Sequence, residues 1–300
     1  VNTAGAAPAA GQGDALSWAS ARIPRLPPPG PGGLIDANSF LGEWPARRLN
    51  GSPPPAREAL VGQRIRLMDR LGIRRAAVAL LDGVLLKDAK VANAELHALI
   101  AGRADRLFPV FTLNPTSPDG DEQLERCRLE YGLAPGRGAV RLHPSFQRYA
   151  LDDARLGAAL GHLRRLDLPV VLTLQLEDSR LHHPAVRVPD PDPAAVADLV
   201  NRWPDVRWIL AGGRYREVHD IGTRLWREAR AWLDIARVQG PMDCLRALRD
   251  AIGVRRLLFG SNLPFILAQS PIMELGDARL TESEEADVRY RNAEAALGIT

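Results

Sequence analysis

Cysteine is scarce in this chain of 300 residues, which has only Cys127 and Cys244. Each falls at an apolar position of a helix-period stretch, so both read as small core residues, and neither a disulfide framework nor a C-x-x-C metal site is available. No apolar run approaches the ~20 residues that a membrane-spanning helix needs. Charge of one sign is nowhere concentrated: Lys and Arg number 39 against 36 Asp and Glu, a net +3. The arginines are spread along helical stretches at solvent-facing spacing, and no basic block interleaved with aromatics occurs, which argues against nucleic acid as a partner. No G-x-G-x-x-G follows the first apolar run and no P-loop occurs, so the usual dinucleotide and nucleotide cradles are missing. Histidine is sparse too. The six lie at 97, 143, 162, 182, 183 and 219, with no H-x-H among them.

What is there has the balance of an ordinary globular protein, 46% hydrophobic and 25% charged, in a chain long enough to bury a full core. Residues 1–33 differ in kind. They are rich in Ala, Gly and Pro, end in Pro27-Pro28-Pro29-Gly30-Pro31-Gly32-Gly33, and show no apolar period, as expected of a flexible or extended lead-in. Neither a charged n-region nor an apolar h-region is present in this stretch, so a cytoplasmic location is expected, with a signal-peptide remnant and export as the alternative.

From Leu34 to Thr300 one theme repeats: a short apolar run, a loop, then a helix-period segment. The apolar runs cover 34–36, 76–81, 107–113, 139–143, 169–174, 206–211, 231–235 and 256–259. They lack sustained polar alternation, as parallel strands covered by helices do. The intervening segments carry helix signals: Val61, Ile65 and Met68 on one face before Gly72, Asp192-Pro193 as cap and first helical residue, and Thr281-Glu282-Ser283-Glu284 as a capping box. Eight such units predict a single (β/α)₈ barrel over 34–300, with its chemistry at the C-terminal ends of the strands.

Those ends carry Ile35-Asp36-Ala37-Asn38-Ser39-Phe40-Leu41-Gly42 with Trp44 and Arg47 beyond, Arg141-Leu142-His143-Pro144, and a cluster of Glu177, Asp178, Arg180, His182 and His183. Gly212-Gly213-Arg214 and Leu257-Leu258-Phe259-Gly260-Ser261-Asn262-Leu263-Pro264 follow. The first and last of these runs, with Asn292-Ala293-Glu294-Ala295-Ala296-Leu297-Gly298 near the end, resemble the amidohydrolase-related family (amidohydrolase 2) of TIM-barrel hydrolases and decarboxylases. The resemblance covers 34–300. It implies a divalent cation held by imidazole and carboxylate, polarising a bound water. It also places that family's two strand-1 histidines on Asn38 and Phe40, its strand-5 histidine on Thr173, its strand-6 histidine on Gly212 and its strand-8 aspartate on Asn262. All five are replaced, so the metal-ligand motif is degenerate and no metal or other cofactor is expected, with a non-standard divalent site left open.

Two readings follow. In one the chain is an amidohydrolase-related hydrolase acting on a small polar or carboxylate-bearing substrate. His143, Glu177, Asp178 and His183 then supply acid and base, while Asn38, Trp44, Arg47, Arg180, Arg214 and Asn262 bind substrate. In the other it is a non-catalytic binding or regulatory relative. The expected partner is a small-molecule ligand, with no nucleic acid and no membrane; a homodimer stays open. Arg180 is expected to pair with Glu177, and Asp234, if it faces inward, with Arg141 or Arg214.

Overall fold

Strand β1 (Leu34–Leu41) is followed by β2 (Ile73–Leu80), β3 (Leu107–Thr112), β4 (Ala139–Leu142), β5 (Val170–Thr173), β6 (Trp208–Ala211), β7 (Ala231–Asp234) and β8 (Leu257–Leu258). They belong to a computed structural model that describes residues 32–44, 57–86 and 88–299. The eight strands are parallel neighbours in chain order. Backbone bonds join β1 to the segment around and beyond β8: Ala37 N–H to Phe259 O, Phe40 N–H to Leu263 O, and Asn262 N–H back to Asn38 O. The result is the (β/α)₈ barrel that the eight apolar runs imply. Most of residues 1–33, and Arg47, lie outside the described residues.

Helices connect the strands where the local signals put them. Leu60–Leu71 ends on Gly72 in the left-handed region (φ 69°), and Pro193–Arg202 is capped by the Asp192 carboxylate. Thr281 and Glu284 close a reciprocal capping box on the last helix. That helix widens to a π-turn over Asp287–Arg291. Within it the Val288 carbonyl accepts a bond from Phe259 N–H (2.8 Å), which ties the helix to the end of β8. Cys127 and Cys244 are buried free thiols, as their apolar positions imply.

Side chains of the wall divide into two sets. Leu34, Val78, Val140, Leu172 and Leu210 pack outward against the helices. Ile35, Ala37, Phe40, Ala139, Val171 and Ile209 pack inward, joined by Ala293, Ala296 and Leu297 of the last helix. Phe40 breaks the parity of Ile35 and Ala37. The cause is a register irregularity in β1 between Asp36 and Ser39, where an extra residue resets which side chains face the interior. Asn38 and Phe40 are thereby delivered into the barrel mouth. The sequence suggests that β1 ends at Asp36; the strand instead runs on to Leu41, all eight residues buried.

Candidate functional site

The mouth is organised around two buried charges that do not touch. Asp234, at the end of β7, accepts a bond from Gly212 N–H (2.9 Å) and one from the Asn38 side-chain amide (2.5 Å). The oxygen of that same Asn38 amide accepts from Arg141 Nη2 on β4 (2.6 Å). Arg141 Nε donates to the Thr173 hydroxyl (3.0 Å), and its guanidinium carbon lies 4.0 Å from the centre of the Phe40 ring. Asn38 thus bridges a carboxylate to a guanidinium. Its amide is also 3.5 Å from the Asn262 side-chain oxygen, and Asn262 donates to Leu176 O (2.7 Å). The partners of Asp234 are therefore Asn38 and Gly212 rather than an arginine in direct contact, because the Asn38 side chain occupies the space between.

Two glycines make room for this network. A Cβ on Gly260 would stand 2.7 Å from Asp234 Oδ2. At Gly212 the demand is stricter, since φ is +82° and a Cβ would fall 2.0 Å from Gln175 O. No histidine fits there on this backbone.

Burial sets the charge states. Arg141 is 1% exposed, and desolvation lowers its pKa to about 9, so it remains a cation at neutral pH. Asp234 is pushed up to about 6 by desolvation, against the bonds from Gly212 and Asn38 and the charge of Arg141. His143, 0% exposed, is held well below its usual range by burial and then by Arg141, and is neutral. Its ring lies over the Phe40 ring, 6.3 Å between centres. Arg141 Nη1 and both His143 ring nitrogens have no hydrogen-bond partner.

The high pKa of Asp234 has a consequence for stability. The folded state keeps a proton that the unfolded state gives up, so this contribution is full below pH ~4 and lost as pH rises past ~6, about 3 kcal/mol in all. Asp36, also raised by burial, acts in the same direction. The urea midpoint should therefore fall more steeply between pH 4 and 7 in the wild type than in Asp234→Asn. Equal slopes would contradict the assignment.

Asp36 serves the backbone, accepting from Ser261 N–H (2.8 Å), Ser261 Oγ (2.6 Å) and Asn38 N–H (3.1 Å). It pins β1 to the exit of β8. Arg64, buried and with its pKa lowered to about 10, donates to Phe40 O near Asp36. Above the network, Trp44 donates its indole N–H to Glu177 (3.0 Å). Its ring packs edge-on against Phe146 (5.9 Å) and Phe265 (5.4 Å), and all three rings cover the mouth.

Of the residues that the sequence singles out, Asn38, Asn262, His143, Trp44 and Glu177 are buried at this end of the barrel. Asp178, Arg180, His183 and Arg214 lie further out. Arg180 pairs with Asp178 rather than with Glu177 (2.7 Å), because Asp178 caps the short helix at Ser179–Leu181 and presents both oxygens to the arginine two residues on. The Arg180 side chain is 87% exposed, and Arg214 is engaged by Glu217 (2.5 Å). His182 is buried, with Nδ1 unpartnered. Arg141 and Asp234, the two charges at the centre, were not among the expected site residues. Their signal was a lone charge inside each of two apolar runs, 139–143 and 231–235. Among the described residues, no group of three or more His, Cys, Asp or Glu side chains is placed to hold a metal ion. No helix there is long and apolar enough to cross a membrane.

A parallel eight-stranded barrel with a polar network at the strand C-termini places the protein in the TIM-barrel class. The family model described as "Amidohydrolase" matches residues 25–299, and the chain belongs to that family. Among solved structures it is similar to 2,6-dihydroxybenzoate decarboxylase from Rhizobium (19% identity, TM-score 0.63, covering 89% of this chain and 98% of that one). It is also similar to 5-carboxyvanillate decarboxylase from Sphingomonas paucimobilis (16%, TM-score 0.65, 89% and 99%). A third is a probable 2-pyrone-4,6-dicarboxylic acid hydrolase from Acinetobacter baumannii, with citric acid bound (13%, TM-score 0.61, 89% and 100%). No curated protein sequence matches the chain.

Proposed function

We propose that this chain is an amidohydrolase-family hydrolase that acts on a small carboxylate-bearing substrate without the family's divalent cation, using Arg141 as its fixed positive charge. The observation that carries the reading is the position of the guanidinium. Asn38 and Thr173, two of the positions at which the family resemblance puts histidine ligands, instead accept hydrogen bonds from Arg141. The donor set does not suit a cation: Phe40 and Gly212 offer no side-chain donor, the Asn38 amide is committed at both ends, and a resident guanidinium repels a second positive charge. The neighbours' names support the substrate class, since each enzyme is named for a carboxylic acid.

Of the acid–base candidates, His143 best suits direct chemistry. Its neutral ring has one nitrogen that donates and one that accepts. Burial beside Arg141 makes it a weak base, suited to aligning a water or hydroxyl nucleophile. Glu177 is engaged by the Trp44 indole, and Asp178 is held well below the usual carboxylate range, chiefly by its bonds from Arg180. Asn38 and Asn262 orient the site.

A second reading, a non-catalytic binding or regulatory protein, is favoured by one observation: both oxygens of Asp36 and of Asp234 are satisfied within the fold. Assay of protein purified without chelator separates the readings. Metal should be far below one equivalent, dialysis against EDTA should leave the melting temperature unchanged, and hydrolysis of carboxylate-bearing esters or lactones should survive the dialysis. His143→Gln should slow that hydrolysis by about 10²-fold or more. One equivalent of tightly held zinc or manganese would overturn the metal-independent reading. No turnover across an ester, amide and lactone panel would favour the binding protein.

A further inference from the structure

Arg141 stands on β4 and His143 follows directly on its end, and both side chains are buried at the C-terminal end of the barrel. Between them they leave three buried polar atoms without a partner, Arg141 Nη1 and both ring nitrogens of His143. The other nitrogens of Arg141 each donate one bond, Nη2 to Asn38 and Nε to Thr173. Neither of the buried carboxylates that act on it, Asp234 and Asp36, pairs with it directly, and Asp234 is joined to it through the Asn38 amide. A buried donor that is left unmade carries its whole desolvation penalty, and here the unmade donors belong to a cation and to its near neighbour two residues on.

We propose that Arg141 Nη1 and the His143 ring form an anion subsite that takes one carboxylate of a small organic acid. This deepens the reading given above and rests on it. One carboxylate oxygen accepts from Nη1 and the other from the His143 ring nitrogen that carries hydrogen, a charge-assisted arrangement of the strong kind. The bond fixes the imidazole tautomer and leaves the opposite ring nitrogen as the acceptor that faces the reacting group. Phe40, which lies against both the guanidinium and the imidazole, shields the subsite from water and sets an apolar wall for the rest of the acid. The ligand reaches it by displacing the Trp44, Phe146 and Phe265 side chains that cover the mouth.

Acetate and benzoate are suitable probes of two sizes, with acetamide and benzamide as neutral counterparts of the same shape. Calorimetric titration of the wild-type protein should show saturable binding of at least one of the acids, with the matching amide about tenfold weaker or more, a difference of ~1.4 kcal/mol. Arg141→Lys, which keeps the charge but loses the fork, and His143→Gln should each weaken the acid about tenfold. Long-range ¹H–¹⁵N spectra of the imidazoles give a readout that does not depend on how Arg141→Lys folds. The His143 resonances, identified by their loss in His143→Gln, should move on titration. Failure of both acids to bind would overturn the subsite, as would equal affinity for acid and amide, or binding with the His143 signals unmoved. Each of those results leaves the metal-independent reading standing if hydrolysis persists after EDTA. Stoichiometric tight metal would overturn that reading whatever the titrations give.

Discussion

Arg141→Met should destabilise the protein by about 3–5 kcal/mol at pH 7.5, the range seen when one member of a buried charge pair is removed and the other is left uncompensated. The substitution keeps most of the aliphatic volume, so packing against Phe40 survives and the loss is electrostatic. Asp234 keeps its bonds from Gly212 and Asn38 but no longer has a cation beyond the amide, while Asn38 Oδ1 and the Thr173 hydroxyl lose their donor. The double variant Arg141→Met/Asp234→Asn should recover part of that cost, with a coupling of at least ~1 kcal/mol in a double-mutant cycle from urea unfolding. The coupling should shrink at pH 5, where Asp234, with its pKa at about 6, is mostly protonated. Additive costs, or a coupling indifferent to pH, would mean that Asn38 does not transmit charge between the two groups.

Gly212→Ala should be nearly as damaging, about 3 kcal/mol or more. The added methyl meets a backbone oxygen, Gln175 O at 2.0 Å, in a φ of +82° that side chains avoid. Backbone cannot swing aside as a side-chain tip can, so the β5 and β6 exits have to separate. Gly212 N–H then leaves Asp234. The expected signature is a fall in melting temperature accompanied by a steeper Asp234-dependent slope in the pH profile, since the Gly212 bond holds the Asp234 pKa down and its loss lets burial raise it further. A melting temperature within a degree or two of the wild type would show that these loops yield more easily than the geometry implies.

How much of this was readable beforehand differs by level. Alternation of apolar runs with capped helix-period segments was enough for eight strands, because burial on both faces and local caps are written in consecutive residues. Asp192, Gly72, Thr281 and Glu284 do in the structure what their local signals imply. Family membership was legible in the runs around Asp36 and Asn262. The site was half legible. Asn38, His143 and Asn262 stand at strand ends, where a barrel keeps reactive groups, and they lie together. Arg180 and Arg214 follow strand ends in the same way but lie outward, because neighbours two and three residues away, Asp178 and Glu217, claim them first.

Sequence by itself determined that this chain makes a barrel and that it belongs with the amidohydrolases. Each follows from patterns within a few dozen residues. Only the tertiary structure decided what fills the mouth of the barrel. The irregularity in β1 turns Asn38 inward, Gly212 and Gly260 clear space for Asp234, and closing the wall brings Arg141, 103 residues from Asn38, within hydrogen-bond distance of its amide. Pairings across such separations depend on register and on the absence of side-chain atoms elsewhere, which no local pattern records.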